Sequence, residues 1–139
     1  MGTWGTGYFE DDAALDFMKG IEQSSDPKRM LAKAFDSAIK SDYLESDEGS
    51  AVIVAATYVD RQVNGTKFTT ESIGAPLEVD TFPERHPDQN FLDLKAKAVS
   101  ALARILGDNS EINEVWTENE DEYPVWREGI QQLIGRLSR

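Results

Sequence analysis

Ser50-Ala51-Val52-Ile53-Val54-Ala55-Ala56-Thr57-Tyr58-Val59-Asp60-Arg61-Gln62-Val63, followed by Asn64-Gly65, is an almost unbroken apolar run closed by a turn signal. It admits two readings. Val52 to Val54 and Tyr58-Val59 favour a strand, and Asn64-Gly65 is a strong hairpin turn, so a hairpin continuing through Phe68 and Ile73 is one. The other is a helix buried on nearly every side. Its length, its three alanines and a terminal Asn64-Gly65 able to enter the left-handed region favour this second reading.

The flanking segments are helical by periodicity. Asp11 or Asp12 can cap a first helix whose stripe is Ala14, Phe17, Met18 and Ile21. Asp26-Pro27 starts a second, since proline in the first turn loses no hydrogen bond. Its inward face is Leu31, Ala34, Phe35 and Ala38, with Lys28, Arg29 and Lys33 left in water. From Thr66 to Gln89, Pro76, Pro83 and Pro87 interrupt any pattern, which predicts a long connection with one short turn at Thr81 to Arg85. Such a length suits a packed loop, a lid or part of a binding surface.

Phe91 to Leu106 sets Phe91, Leu94, Ala98, Ala101, Leu102 and Ile105 on one stripe and stops at Gly107. Ser110 can cap a shorter helix presenting Ile112, Val115 and Trp116. A last helix carries Tyr123, Trp126, Ile130, Leu133, Ile134 and Leu137. The expected fold is therefore all-α, a single domain over 1–139. It is a compact orthogonal or antiparallel bundle of five to six helices with a long connection at about 66–90.

Composition narrows the chemistry. With 26 acidic against 14 basic residues the formal charge is −12, which repels phosphate backbones and anionic lipid, so neither nucleic acid nor membrane is an expected partner. The same field attracts a basic protein, although acidity also serves solubility alone. There is no cysteine, which removes disulfides, thiolate nucleophiles and cysteine-bound zinc. No signal-peptide pattern or membrane-length apolar run is present, and the cytoplasm is the expected location.

Several stretches together resemble one family: Met1-Gly2-Thr3-Trp4-Gly5-Thr6-Gly7-Tyr8-Phe9 with Asp12 and Ala14 to Phe17, then Asn109-Ser110-Glu111, Trp116, and Tyr123 to Leu137. The chain resembles the bacterial domain-of-unknown-function family 4259 over nearly its whole length, most closely at its two ends. The resemblance implies a small helical domain and supports helix at Ser50 to Val63. It supplies no established catalytic residues. Some small acidic domains of such families lie beside polymorphic toxins and look like immunity proteins, and the resemblance extends that expectation to this chain.

Candidate sites are few. The opening glycines match neither the P-loop nor the dinucleotide fingerprint, so they serve turns that fold Trp4 and Phe9 onto the helices. His86, the one histidine, lies among prolines without a second ligand, in keeping with an exposed or locally bonded ring. Glu111, Glu114 and Glu118 share one side of a short helix, and with Glu120, Asp121 and Glu122 they form an acidic patch beside Trp116. A solvated face is the plain reading, and a protein-binding patch the functional one. No calcium-loop spacing accompanies it. Trp116 and Trp126 have core spacing, Trp116 being the better candidate for exposure.

The expected function is a protein-binding module without cofactor or metal. In its sharpest form it is an immunity protein covering a basic, nuclease-type toxin through Glu111, Glu114, Trp116, Glu118, Glu120, Asp121 and Glu122. Two alternatives remain open: a structural or oligomer-forming domain, and an enzyme with a carboxylate site formed only in three dimensions.

Overall fold

The computed structural model describes residues 6–68 and 78–139. Among these are seven α-helices: α1 Asp12–Gln23, α2 Pro27–Lys40, α3 Ser46–Asn64, α4 Glu78–Arg85, α5 Lys95–Ile105, α6 Glu111–Thr117 and α7 Tyr123–Leu137. No strand is present among the described residues, apart from an isolated bridge between Leu44 and Ser110. No helix among them is long and apolar enough to cross a membrane.

The 50–63 run is the centre of a longer helix, and every other α-helix packs against it. From Gly49 to Asp60 only Ala51 escapes full burial. Its β-branched residues favour strands when one face is wet. Here all faces are dry, and internal hydrogen bonding of the backbone is what such a segment needs. Gly65 ends the helix at φ 78°, as its Asn-Gly signal predicts. Near the other end, Gly49 lets α6 approach closely: a Cβ there would lie 2.7 Å from Cγ2 of Ile112.

Caps fix the neighbouring helices. The Ala14 amide donates to Asp11 Oδ1 at 2.7 Å, and the Ser50 hydroxyl donates to Asp11 Oδ2 at 3.1 Å, so one side chain caps α1 and ties it to α3. The Arg29 amide donates to Asp26 Oδ1 at 3.2 Å, and Pro27 is buried at the head of α2. Ala14, Met18 and Ile21 of α1 and Leu31, Phe35 and Ala38 of α2 are buried as expected, while Phe17 and Ala34 are only partly covered. All six stripe residues from Phe91 to Ile105 are buried.

Three expectations need correction. The 66–90 connection contains a true helix, α4, rather than a turn at 81–85, and this makes seven helices where five to six were expected. Val79 and Phe82 give it a buried apolar face too short to register as periodicity, and Pro83 lies inside the helix, where proline is ordinarily a breaker. The stripe beginning at Phe91 opens as a 3-10 turn, Leu92–Leu94, before α5 begins. Ser110 holds the N-cap position of α6, but its Oγ is buried and makes no hydrogen bond among the described residues. The placement of Trp4 lies outside the described residues; Phe9 is buried, at 3% exposure.

Two polar clusters lock this core. Tyr58 donates its buried hydroxyl to Glu22 Oε2 at 2.6 Å, and Arg85 of α4 pairs with the other oxygen of Glu22. Gln62 clamps the chain after α4, donating to the Gln89 carbonyl at 2.8 Å and accepting from the Phe91 amide at 3.0 Å. These contacts hold the return of the chain from α4 into α5 against the central helix.

Candidate functional site

Two connections distant in sequence are laced together at one end of the bundle. The Leu44 amide donates to the Asn109 carbonyl at 2.8 Å, and the Glu111 amide donates to the Leu44 carbonyl at 2.8 Å. Arg104 adds hydrogen bonds to the carbonyls of Ser41, Asp108 and Asn109. Asn109 adopts φ 58°, a left-handed conformation that asparagine tolerates well among non-glycine residues. The lacing sets the start of α3 beside the start of α6.

Carboxylates from both segments therefore converge. Glu111 Oε1 accepts from the Ser46 amide at 2.7 Å, serving the open end of α3. Glu114 Oε1 accepts from the Tyr43 hydroxyl at 3.0 Å. Glu48 Oε1 accepts from the Glu45 amide at 3.1 Å within the first turn of α3. Tyr43 stays 45% exposed in the middle of these acids. Its phenol is pushed above its ordinary value by partial desolvation, by its hydrogen bond to Glu114, and by the negative fields of Glu114, Glu111 and Glu45.

The remaining predicted positions continue from α6. Glu114 and Glu118 are exposed and one helical turn apart. Glu120, Asp121 and Glu122 are exposed in the link to α7. Asn119 shapes that link: its side-chain oxygen accepts from the Glu122 amide at 3.2 Å, and its carbonyl accepts from the Tyr123 amide at 2.9 Å. Trp116 is half-buried and stacks on buried Trp126, with ring centroids 5.9 Å apart and an interplanar angle of 13°. It pins α6 to α7 and offers only part of its ring to a partner.

Sequence reasoning missed Tyr43 and Glu45. The signal was present as Asp42-Tyr43-Leu44-Glu45-Ser46-Asp47-Glu48, an acidic stretch with an aromatic inside it, but nothing local showed that it lies against Glu111 and Glu114. Elsewhere, His86 stacks on Phe82 at 4.5 Å. Among the described residues no group of three or more His, Cys, Asp and Glu has a geometry able to hold a metal ion. Two open grooves along α2 each contain a single carboxylate, Glu48 in one and Asp36 in the other, so neither gathers an acid–base pair.

The sequence model of one family, described as Domain of unknown function (DUF4259), matches residues 2–129. The chain belongs to the DUF4259 family. No curated protein and no solved structure gives a significant match. The DUF4259 match spans α1 to α6 and the first half of α7, and so includes both halves of the acidic face.

Proposed function

We propose that this DUF4259 chain is a protein-binding module that covers a basic surface of a partner with its acidic face. That face is centred on Tyr43, Glu45, Glu111 and Glu114 and extends through Glu118, Glu120, Asp121 and Glu122. The observation that carries the reading is Tyr43: an exposed aromatic whose hydroxyl is held by Glu114, ringed by carboxylates from two laced segments. Tyrosine is enriched at binding hot spots because it supplies rigid contact area and one polar group. The surrounding charge, in a chain of formal charge −12, steers a basic partner toward this face. In its finer form the module is a bacterial immunity protein, and the partner is a basic, nuclease-type toxin domain.

Affinity capture of the tagged chain from its native cells, at low and raised salt, tests this. The expected result is one stoichiometric basic protein, released by salt and no longer captured when Tyr43→Ala is combined with Glu45→Gln, Glu111→Gln and Glu114→Gln. A partner indifferent to both salt and these substitutions, or a chain that comes out alone, overturns the reading.

A further inference from the structure

Helix α2 runs against the charge of the chain. It carries Lys28, Arg29, Lys33 and Lys40 against one carboxylate, Asp36, in a protein of formal charge −12. Lys28 is engaged by Asp93 at 2.9 Å, and Asp36 by Lys97 at 3.1 Å. Arg29, Lys33 and Lys40 are exposed and make no ion pair among the described residues. Steps of four and seven residues put these three on one stripe of the helix.

Beside the stripe lies an open groove of about 340 Å³ between α1, α2 and α3. Phe17, Met30, Ala34 and Ala51 make its apolar lining, with Lys33 and Glu48 among its polar members. All four apolar residues are only partly covered. Met30 is unbranched and adaptable, and its methyl fills the space over Gly20, where a Cβ would meet it at 2.8 Å. The groove therefore has a floor able to fit different side chains.

An apolar trough flanked by a row of unpaired cations matches an amphipathic helix with acidic residues beside its apolar stripe. Strand addition needs a sheet edge, and the described residues contain none. We propose that the α1–α2–α3 groove binds an acidic amphipathic helix of a partner protein, its apolar residues on Phe17, Met30, Ala34 and Ala51 and its carboxylates toward Arg29, Lys33 and Lys40. The groove adjoins the Tyr43 face at Glu48, which lines it and accepts from the Glu45 amide, but its cations come from α2.

The test is selection of a phage-displayed library of random peptides about 16 residues long, roughly four helical turns, on the full chain, followed by titration of the recovered peptides. The expected peptides carry apolar residues at helical spacing with Asp or Glu alongside. Their affinity falls about tenfold or more in Arg29→Glu/Lys33→Glu and in Ala34→Phe, and is unchanged in Tyr43→Ala. Circular dichroism verifies that the variants fold. If Ala34→Phe does not, amide shift changes in the unaltered chain decide whether the peptide sits on Phe17, Met30 and Ala51.

Failure to recover such peptides, binding insensitive to the α2 charge reversal, or shift changes on another surface overturns the proposal. So does a dimer, or binding to phosphatidylglycerol vesicles, that is lost in Lys33→Glu, since the occupant is then a second copy or a membrane. None of these outcomes depends on the Tyr43 face, so the two proposals stand or fall separately.

Discussion

Arg136, near the end of α7, donates from Nε to Asp60 Oδ2 at 2.7 Å, and Asp60, one turn before the end of α3, has no exposure to solvent. Asn64 and Thr66 donate to the other oxygen at 2.7 and 3.1 Å, and the Arg136 guanidinium lies 5.9 Å from the centre of the Phe68 ring. Removing one partner of a buried pair leaves a charge without compensation, which typically costs about 3–5 kcal/mol. Arg136→Met is expected to destabilise the chain by about 3 kcal/mol in urea unfolding. A change below about 1 kcal/mol would show that Asn64 and Thr66 suffice for Asp60. Because Arg136 lies beyond residue 129, where the family match ends, a chain cut there is expected to lose cooperative unfolding by circular dichroism.

Tyr58 offers a test by alkaline titration. Its phenol is pushed far above the ordinary tyrosine value, first by burial and then by its hydrogen bond to Glu22. The folded state thus holds this proton more tightly than the unfolded one does. The corresponding stability is complete below about pH 10, the unfolded value, and is lost as pH rises beyond it. Of the four tyrosines, Tyr58 is expected to ionise only as the protein unfolds. Phenolate absorbance followed against far-ultraviolet circular dichroism checks this. Tyr58→Phe should remove the amplitude coincident with unfolding and cost about 1–2 kcal/mol at neutral pH.

Gly49→Ala forces a Cβ to within 2.7 Å of Ile112 Cγ2, between backbones that are both packed. Overpacking of this kind costs about 1–3 kcal/mol. Ile112→Ala removes the opposing methyl but opens a cavity. The double variant should therefore be less destabilised than the sum of the two singles, and a double-mutant cycle in urea measures that coupling. Simple additivity would mean that α6 moves away from α3 without penalty.

Ser110 should respond in the opposite sense to an ordinary cap. Truncating a capping serine typically costs about 0.5–2 kcal/mol. The Ser110 Oγ is buried and makes no hydrogen bond among the described residues, so its desolvation is uncompensated there. Ser110→Ala is expected to leave stability unchanged or raise it by up to about 1 kcal/mol. A loss above that size in thermal unfolding would reveal a partner for the hydroxyl.

Local signals were sufficient for most of the framework. Asp11 and Asp26 cap where their sequence contexts say they should, Gly65 turns left-handed after Asn64, and the stripe from Phe91 to Ile105 is buried in full. Each of these depends on residues within a turn or two of one another, and spacing along the chain records such relationships directly. The Glu78–Arg85 helix was missed for the same reason, since two buried apolar residues and an internal proline are too little for a periodic pattern.

The candidate site divides along the same line. The run Glu111, Glu114, Glu118 was legible as one side of a short helix, and the formal charge of −12 pointed to a basic partner. That Tyr43 and Glu45 complete the face, that Glu111 is spent on the Ser46 amide, that Trp116 is stacked against Trp126, and that Arg136 closes over Asp60 were decided only by the tertiary structure. Periodicity, caps and net charge are properties of neighbours in sequence. Which carboxylate remains free, and which is taken up by an amide or guanidinium from tens of residues away, depends on how the helices dock around α3.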